Sequence, residues 1–404
     1  MKTSFFKGVP YNALIFAALA VFLMQVALML YYNKSVFVFP NIESYLSLNK
    51  AADIADNPAR AFTRNVDGKK EANGFLYPVL ASVILKAVGP GNIVLTVYIL
   101  DLLMLAFILI VYYKIACEAA GKEAAFASTL VFAVSAPAVT SMFSGSDAAV
   151  MYLFFAAAMH GAVFGAPKKK FAGLFIAAGL MALTGYMGAV YAACFVMYAF
   201  FKMSEKGIKR NYAAVWAAVS IFAVAASALL FYVFVDSLSM EYLKNNGLLD
   251  IKTFNVDTYF KDGFLWSKAV PPFFSIFFFL AVFMGLAQEI RSKSVTFMTL
   301  TGLLTVVSLL AGFFSMFSVR ANSYMFMAPF YMALYIAGTR GVVDFAGYLE
   351  EKGGKTFTKA NIVAGFMVFM VIYNLIFTFT RLTELDGNIH YLTGDTKVSR
   401  FFPK

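Results

Sequence analysis

Apolar runs, most of them long enough to cross a lipid bilayer, are the feature that most restricts how this chain of 404 residues can fold. A transmembrane helix needs about 20 consecutive apolar residues, and a membrane-spanning segment must satisfy its backbone hydrogen bonds internally. We therefore predict an all-α, polytopic membrane helix bundle. Its eleven predicted transmembrane helices lie at 12–32, 92–113, 123–142, 148–166, 171–184, 186–201, 212–235, 271–288, 295–315, 323–339 and 360–380.

The composition excludes other classes of protein. Hydrophobic residues make up 61% of the chain and charged residues 14%, whereas a soluble domain is about half apolar and about a quarter charged. The net charge of +11 does not indicate a nucleic-acid-binding face, because the basic residues lie between apolar runs. Lys2 and Lys7 precede a run that is too long for a signal-peptide core, so we expect the first helix to be retained.

The distribution of basic residues predicts the orientation of the helices. With the N-terminus in the cytoplasm, inner connections carry Lys168 to Lys170 and Lys202 to Arg210, while the short outer turns are almost free of basic residues. This pattern requires 171–201 to be a hairpin with Thr184 and Gly185 at its outer apex. The C-terminal tail then lies outside. We expect the chain in the plasma (inner) membrane, or in the endoplasmic reticulum if its source is a eukaryote.

The outer regions are where we expect any chemistry, since crossing a bilayer needs no large polar loop. The predicted single membrane domain 1–404 contains three of them, at 33–91, 236–270 and 381–404. In the first outer loop, Ile42, Tyr45 and Leu46 mark one face of a short amphipathic helix. The segment from Gly74 to Gly89 is apolar but only about 15 residues long. We predict that both are juxtamembrane helices at the outer surface.

Five ionisable side chains stand out against this background. Glu43 and Asp147 open predicted helices, where an acid either complements the helix dipole or serves as a catalytic or metal-binding carboxylate. Arg320 lies on an outer turn, where it either binds lipid headgroups or binds a phosphate. Asp101 and His160 lie inside predicted spans, away from the outer face, where they stabilise helix packing or take part in proton-coupled transport.

The order of short motifs carries a resemblance to a known superfamily. Glu43 follows the first helix, and Gly74-Phe75-Leu76-Tyr77-Pro78-Val79-Leu80 ends the first outer loop. Ser144-Gly145-Ser146-Asp147-Ala148, the hairpin 171–201 and Ser318-Val319-Arg320-Ala321-Asn322-Ser323-Tyr324 come next. This order resembles the membrane-embedded glycosyltransferases of the GT-C superfamily, especially the branch of protein O-mannosyltransferases and lipid A aminoarabinose transferases.

The resemblance implies roles for the acidic residues and their surroundings. Glu43 occupies the place of the family's first-loop acid, which acts as a catalytic base or as a metal-linked carboxylate. Asp147 matches the acidic position at the next outer turn, and we assign it a catalytic role. Tyr77 and Pro78 match the family's Tyr-Pro and would form a wall of the site. A divalent cation, Mg²⁺ or Mn²⁺, is the implied cofactor, with Glu43 as its ligand.

The resemblance also implies how a donor would bind. Such enzymes take a sugar from a polyprenyl-phosphate carrier, and Arg320 with Tyr324 would face the donor phosphate. The hairpin apex, which in the family often carries Lys or Arg, here reads Thr184-Gly185-Tyr186-Met187. Lys69 and Lys70 in the first outer loop either supply this missing positive charge or are solvated loop lysines.

Three hypotheses about function follow from the sequence. The first is an outer-facing glycosyltransferase that moves a sugar from a polyprenyl-phosphate carrier to a lipid, glycan or protein acceptor. The second is a transporter or lipid flippase, which a polar path through Asp101 would support. The third is a non-catalytic scaffold with the same fold, because Glu43 is flanked by Ile42 and Ser44 where the family often has a double acid. The oligosaccharyltransferase signature Trp-Trp-Asp-Tyr-Gly is absent.

Overall fold

The structure is a computed structural model, and all the regular elements of its described part are helical. That part comprises residues 11–33, 42–62, 76–89, 91–135, 138–139, 142–143, 145–164, 171–205, 282–284, 297, 299–306, 329–353 and 358–381. The α-helices are α1 (Tyr11–Asn33), α2 (Ile42–Asp56), α3 (Leu76–Val88), α4 (Ile93–Ala120), α5 (Lys122–Val134), α6 (Asp147–Phe164), α7 (Phe171–Ala182), α8 (Tyr186–Glu205), α9 (Phe330–Gly353) and α10 (Lys359–Arg381). A short 3-10 helix, Pro58–Phe62, follows α2.

The chain is an integral membrane protein. Three described segments are long and apolar enough to cross a bilayer, namely Ile93–Ala120, Asp147–Phe164 and Lys359–Ile376. Shorter apolar helices occur at Asn12–Leu28, Ala172–Ala182 and Gly188–Met203. The predicted spans at 212–235, 271–288 and 295–315 lie wholly or largely outside the described residues, as do the outer regions 236–270 and 382–404.

The segment predicted as the first outer loop, 33–91, contains both of the helices that the sequence predicts there. Helix α2 packs against α3, and Tyr45, Leu46 and Ile54 on its apolar face are buried. Helix α3 has 13 residues and is therefore about 20 Å long, which is short of the roughly 30 Å of hydrocarbon in a bilayer. The structure thus confirms a helix within Gly74 to Gly89 whose length does not suit a full crossing.

The centre of the bundle is α4, which packs against α3, α5, α6 and α9. The Tyr112 hydroxyl in α4 donates a hydrogen bond to the Met332 carbonyl in α9 at 3.2 Å. Helix α1 is joined to the bundle by Gln25, whose buried amide donates to the Val134 carbonyl at 3.1 Å. Because unpaired polar groups are costly in an apolar interior, these bonds fix which helices are neighbours.

Helices α7 and α8 form the predicted hairpin. They pack along each other, and α7 also packs along α6. The turn at residues 183–185 joins them, and Gly185 has a φ of +136°. Glycine adopts this backbone conformation without steric cost, so the prediction of an apex at Thr184 and Gly185 is confirmed.

Three helix ends differ from the sequence predictions. Helix α4 continues to Ala120, whereas the predicted span ended at 113. Helix α5 ends at Val134 and not at 142, since Pro137 follows closely and the residue before a proline disfavours helical backbone.

Helix α9 is the third difference, because it runs to Gly353 and the predicted span ended at 339. Arg340 accounts for this extension. Its guanidinium donates to the Ala119 carbonyl at the end of α4, at 3.2 Å, and lies 3.8 Å from the Asp344 carboxylate one turn further on. Arg340 and Lys352 therefore belong to a helix that extends beyond its apolar part.

Candidate functional site

Three segments meet where α2 and α3 join the bundle. They are the start of α3, the third turn of α4 and the start of α6. Each contributes one residue that is almost completely buried: Tyr77 is 0% exposed, Asp101 0% and Asp147 2%. Two carboxyl groups are thus enclosed around one tyrosine, in a part of the molecule that is otherwise rich in apolar side chains.

Asp147 connects two helix starts. It is the first residue of α6, and its Oδ1 accepts a hydrogen bond from the backbone N–H of Tyr77 at 3.1 Å. The first N–H groups of a helix have no partner within the helix, so Asp147 caps α3 from a different helix. The N-terminus of a helix also favours negative charge. Asp147 therefore lies where the dipoles of α3 and α6 both stabilise a carboxylate.

Asp101 lies on the other side of Tyr77. Its carboxyl is beside the Tyr77 hydroxyl and the backbone of Gly145. Neither contact has the geometry of a hydrogen bond, and in the described part of the structure no other group bonds to the Asp101 oxygens or to the Tyr77 hydroxyl. The sequence placed Asp101 away from the outer site. That expectation is wrong, because α4 starts at Ile93 and Asp101 is only about 12 Å along its axis.

Gly145 packs the turn before α6 tightly against two other helices. Its φ is +64°, in the left-handed region that non-glycine residues rarely adopt. A Cβ at this position would lie 3.2 Å from Leu48 Cδ1 in α2 and 3.5 Å from Val97 Cγ2 in α4. Glycine is therefore required two residues before Asp147, both by its backbone conformation and by its neighbours.

The Tyr77 phenol remains protonated at ordinary pH. Burial raises its pKa well above the usual value, and the negative charges of Asp101 and Asp147 raise the pKa further. Tyr77 lies in the short helix α3, outside the membrane-spanning segments. Its hydroxyl is thus a neutral donor held next to the Asp101 carboxyl.

The predicted site residues fall into three groups. The structure brings together Tyr77, Pro78 and Asp147, all of them buried. Glu43 lies in the first turn of α2, and its side chain is outside the described part of the structure. The predicted phosphate-binding residues also lie outside the described residues; they are Lys69, Lys70, Arg320 and Tyr324.

His160 does not belong to this buried junction. It is exposed on α6, with its ring 4.6 Å from that of Phe164. His160 is thus exposed, whereas Asp101, the other ionisable residue inside a predicted span, is buried. Asp101 is the intramembrane group that the site includes, and an ionisable residue in an apolar span was the signal that pointed to it.

Acidic ligands for a metal are few in the described ranges. They contain no group of three or more His, Cys, Asp or Glu side chains that could hold a metal ion. Mg²⁺ is commonly bound by only one or two carboxylates together with substrate phosphates. Asp147 would supply one such carboxylate.

Among the comparisons with known proteins, only the search of solved structures found matches. No protein-family model and no curated protein sequence matches the chain. The Archaeoglobus fulgidus oligosaccharyltransferase, solved with Zn and sulfate, is similar with a TM-score of 0.59 and 12% identity, over 92% of this chain and 53% of that one. ArnT from Cupriavidus metallidurans bound to undecaprenyl phosphate is similar with a TM-score of 0.54 and 12% identity, over 92% of this chain and 75% of that one.

A third similar structure is the archaeal oligosaccharyltransferase AglB from Archaeoglobus fulgidus in complex with an inhibitory peptide and a dolichol-phosphate. Its TM-score is 0.55 at 11% identity, over 91% of this chain and 55% of that one. The chain thus spans about half the length of the oligosaccharyltransferase. These neighbours belong to the GT-C superfamily, so the resemblance seen in the sequence is confirmed for the fold.

Proposed function

We propose that this protein is an outer-facing glycosyltransferase that moves a sugar from a polyprenyl-phosphate carrier to a lipid, glycan or protein acceptor. The fold is the observation that carries the proposal. Over 92% of the chain, it matches the fold of ArnT bound to undecaprenyl phosphate. The position of Asp147 supports it, because this acid lies where the outer helices α2 and α3 meet the bundle.

Transfer requires that one bond form as another breaks. In our proposal the Glu43 carboxylate takes the proton of the acceptor hydroxyl, and the acceptor oxygen bonds to the anomeric carbon of the sugar. The bond between that carbon and the phosphate oxygen breaks, and its electron pair leaves with the polyprenyl phosphate. Asp147 takes part as a carboxylate that two helix N-termini and the Tyr77 N–H hold in place.

The leaving phosphate needs positive charge nearby. We assign this role to Arg320, with Tyr324, Lys69 and Lys70, because Arg and Lys are the side chains that bind phosphate. In the alternative role, in which Glu43 is not the base, Glu43 would hold a divalent cation together with Asp147. Such an ion, when bound, supplies Lewis-acid stabilisation of the phosphate charge.

The finer topology belongs to the same proposal. We propose one membrane domain with eleven transmembrane helices, a cytoplasmic N-terminus and an outer C-terminal tail, in the plasma membrane or the endoplasmic reticulum. The first outer loop, 33–91, would form the roof of the site, with Tyr77 and Pro78 in its wall. A carrier lipid would enter this site sideways from the bilayer.

A non-catalytic scaffold is the second candidate, because capping α3 gives Asp147 a purely structural use. The transporter hypothesis has less support. It relied on a polar path through Asp101, but the other intramembrane ionisable group, His160, is exposed whereas Asp101 is buried.

Mass spectrometry of lipids and glycans from cells lacking the gene tests the proposal. Wild type should restore a missing glycan and clear an accumulated polyprenyl-phosphate sugar, and Glu43→Gln should do neither. Asp56→Asn is the matched control, since Asp56 is an exposed acid of the same helix and should support full rescue. If Glu43→Gln also rescues fully at equal protein level, Glu43 is only a helix-start acid and the scaffold reading gains.

A further inference from the structure

We infer that Asp101 is a positioning residue that fixes Asp147 through Tyr77 and the turn at Gly145. Asp101 is completely buried, and it is the one charged residue on the buried side of α4 in the described structure. The other buried residues of that helix are apolar or weakly polar. A carboxyl in such surroundings costs several kcal/mol unless other groups compensate it, so packing alone does not account for it.

The contacts of Asp101 indicate what it does. On one side is the Tyr77 hydroxyl, which belongs to the start of α3. On the other side is the backbone of Gly145, which belongs to the turn before α6. These are the two segments that the hydrogen bond between the Tyr77 N–H and Asp147 Oδ1 joins. Asp101 therefore lies beside both segments that this bond joins.

Tyr77 is the element shared by the two carboxyls. Its backbone N–H holds Asp147, and its hydroxyl lies at Asp101. A shift of the Tyr77 ring would move the first turn of α3 and with it the donor that Asp147 uses. The side chains of Leu48 and Val97 lie close to Gly145, so the turn has little room to move independently of α2 and α4. Asp101, on α4, thus fixes the position of the Tyr77 ring relative to the turn at Gly145.

The direct test measures the protection of the Tyr77 amide in the full-length protein in lipid nanodiscs. Hydrogen–deuterium exchange with residue-resolved mass spectrometry reports on that N–H. Asp147→Ala removes the acceptor and should speed its exchange about five- to tenfold, as expected for one lost hydrogen bond. Asp101→Leu should speed exchange to a similar extent although it leaves Asp147 intact, and Asp101→Asn should restore much of the protection.

Met104→Ala is the matched control, because Met104 is a buried residue one turn further along α4. It should create a cavity without changing exchange at Tyr77. Wild-type exchange in Asp101→Leu, alongside faster exchange in Asp147→Ala, would overturn the inference. Equal acceleration in Met104→Ala would also overturn it, because general loosening of α4 would then explain the effect.

The consequence for catalysis rests on the proposed function, but the exchange measurement does not. In an assay of sugar transfer, Asp101→Leu should lower kcat while leaving KM for the donor unchanged, and Asp101→Asn should recover part of kcat. Faster Tyr77 exchange without any transfer by wild type would refute the proposed function and leave the inference standing. Transfer by wild type with unchanged kcat in Asp101→Leu would refute the catalytic consequence.

Discussion

Asp147 accepts a hydrogen bond from the backbone N–H of Tyr77, 70 positions away in the chain, at 3.1 Å. This bond ties α3 to the bundle, since Tyr77 lies in the first turn of α3 and Asp147 is the first residue of α6. The bond also fixes the position of the Asp147 carboxylate, which the proposed chemistry needs. The same residue therefore has a structural use and a proposed catalytic one, and suitable substitutions separate them.

Asp147→Asn should preserve the cap but remove the charge. The Asn carbonyl can still accept from Tyr77, so we expect thermal stability close to wild type and a loss of transfer of about 100-fold or more. Asp147→Ala should lose the transfer and also about 1 kcal/mol of stability, as for other lost caps. Thermal unfolding of the solubilised protein, together with a transfer assay, distinguishes the two variants. Full activity in Asp147→Asn would show that the residue is only a cap.

Gly145→Ala should destabilise the protein. A residue other than glycine at a φ of +64° costs about 1–2 kcal/mol, and the added Cβ would press on Leu48. Gly173→Ala in α7 is the control, because a Cβ there meets no atom within 4 Å and should stabilise the helix by about 0.5–1 kcal/mol. Thermal unfolding of both variants checks the prediction. Equal stability of the two would contradict the assigned conformation of the turn.

Tyr112→Phe should weaken the contact between α4 and α9. It removes the hydroxyl that donates to the Met332 carbonyl at 3.2 Å. Interhelical hydrogen bonds in membranes contribute about 0.6 kcal/mol on average, so we expect a loss of that size in chemical unfolding. Tyr348→Phe, on an exposed ring of α9, should have no effect. A neutral Tyr112→Phe would mean that the bond does not stabilise the bundle.

The ion pair between Lys359 and Glu123 should contribute little. Its atoms are 2.6 Å apart and join the starts of α10 and α5, but both side chains are about one-third exposed. Such pairs contribute about 0.2–1 kcal/mol and are screened by salt. Each single charge reversal should cost no more than that, and the double reversal should recover part of the loss at low salt. A coupling that high salt leaves unchanged would contradict this account.

Local signals in the sequence predicted much of the fold. The hairpin of α7 and α8 follows from basic residues at both ends and a glycine at the apex. The juxtamembrane character of α3 follows from its length. The continuation of α9 was missed because the charge of Arg340 was read as the end of a span, whereas its guanidinium in fact binds the end of α4.

The site was predicted less completely than the fold. Asp147 and Tyr77 were found through motifs, but their hydrogen bond depends on packing between distant segments. The sequence placed Asp101 away from the site because a sequence gives the length of an apolar run but does not show which residues of other helices lie beside it. Only the placement of α3 against α4 shows that Asp101 reaches Tyr77.

The most direct measurement follows the reaction itself. Purified full-length protein in liposomes would receive the polyprenyl-phosphate sugar that accumulates in cells lacking the gene, together with membranes from those cells as acceptor. We predict that the donor lost, the polyprenyl phosphate released and the glycosylated product formed are equal in amount, and that Asp147→Asn forms the product at least about 100-fold more slowly. Unchanged donor with folded wild-type protein, or equal turnover by Asp147→Asn, would contradict the account.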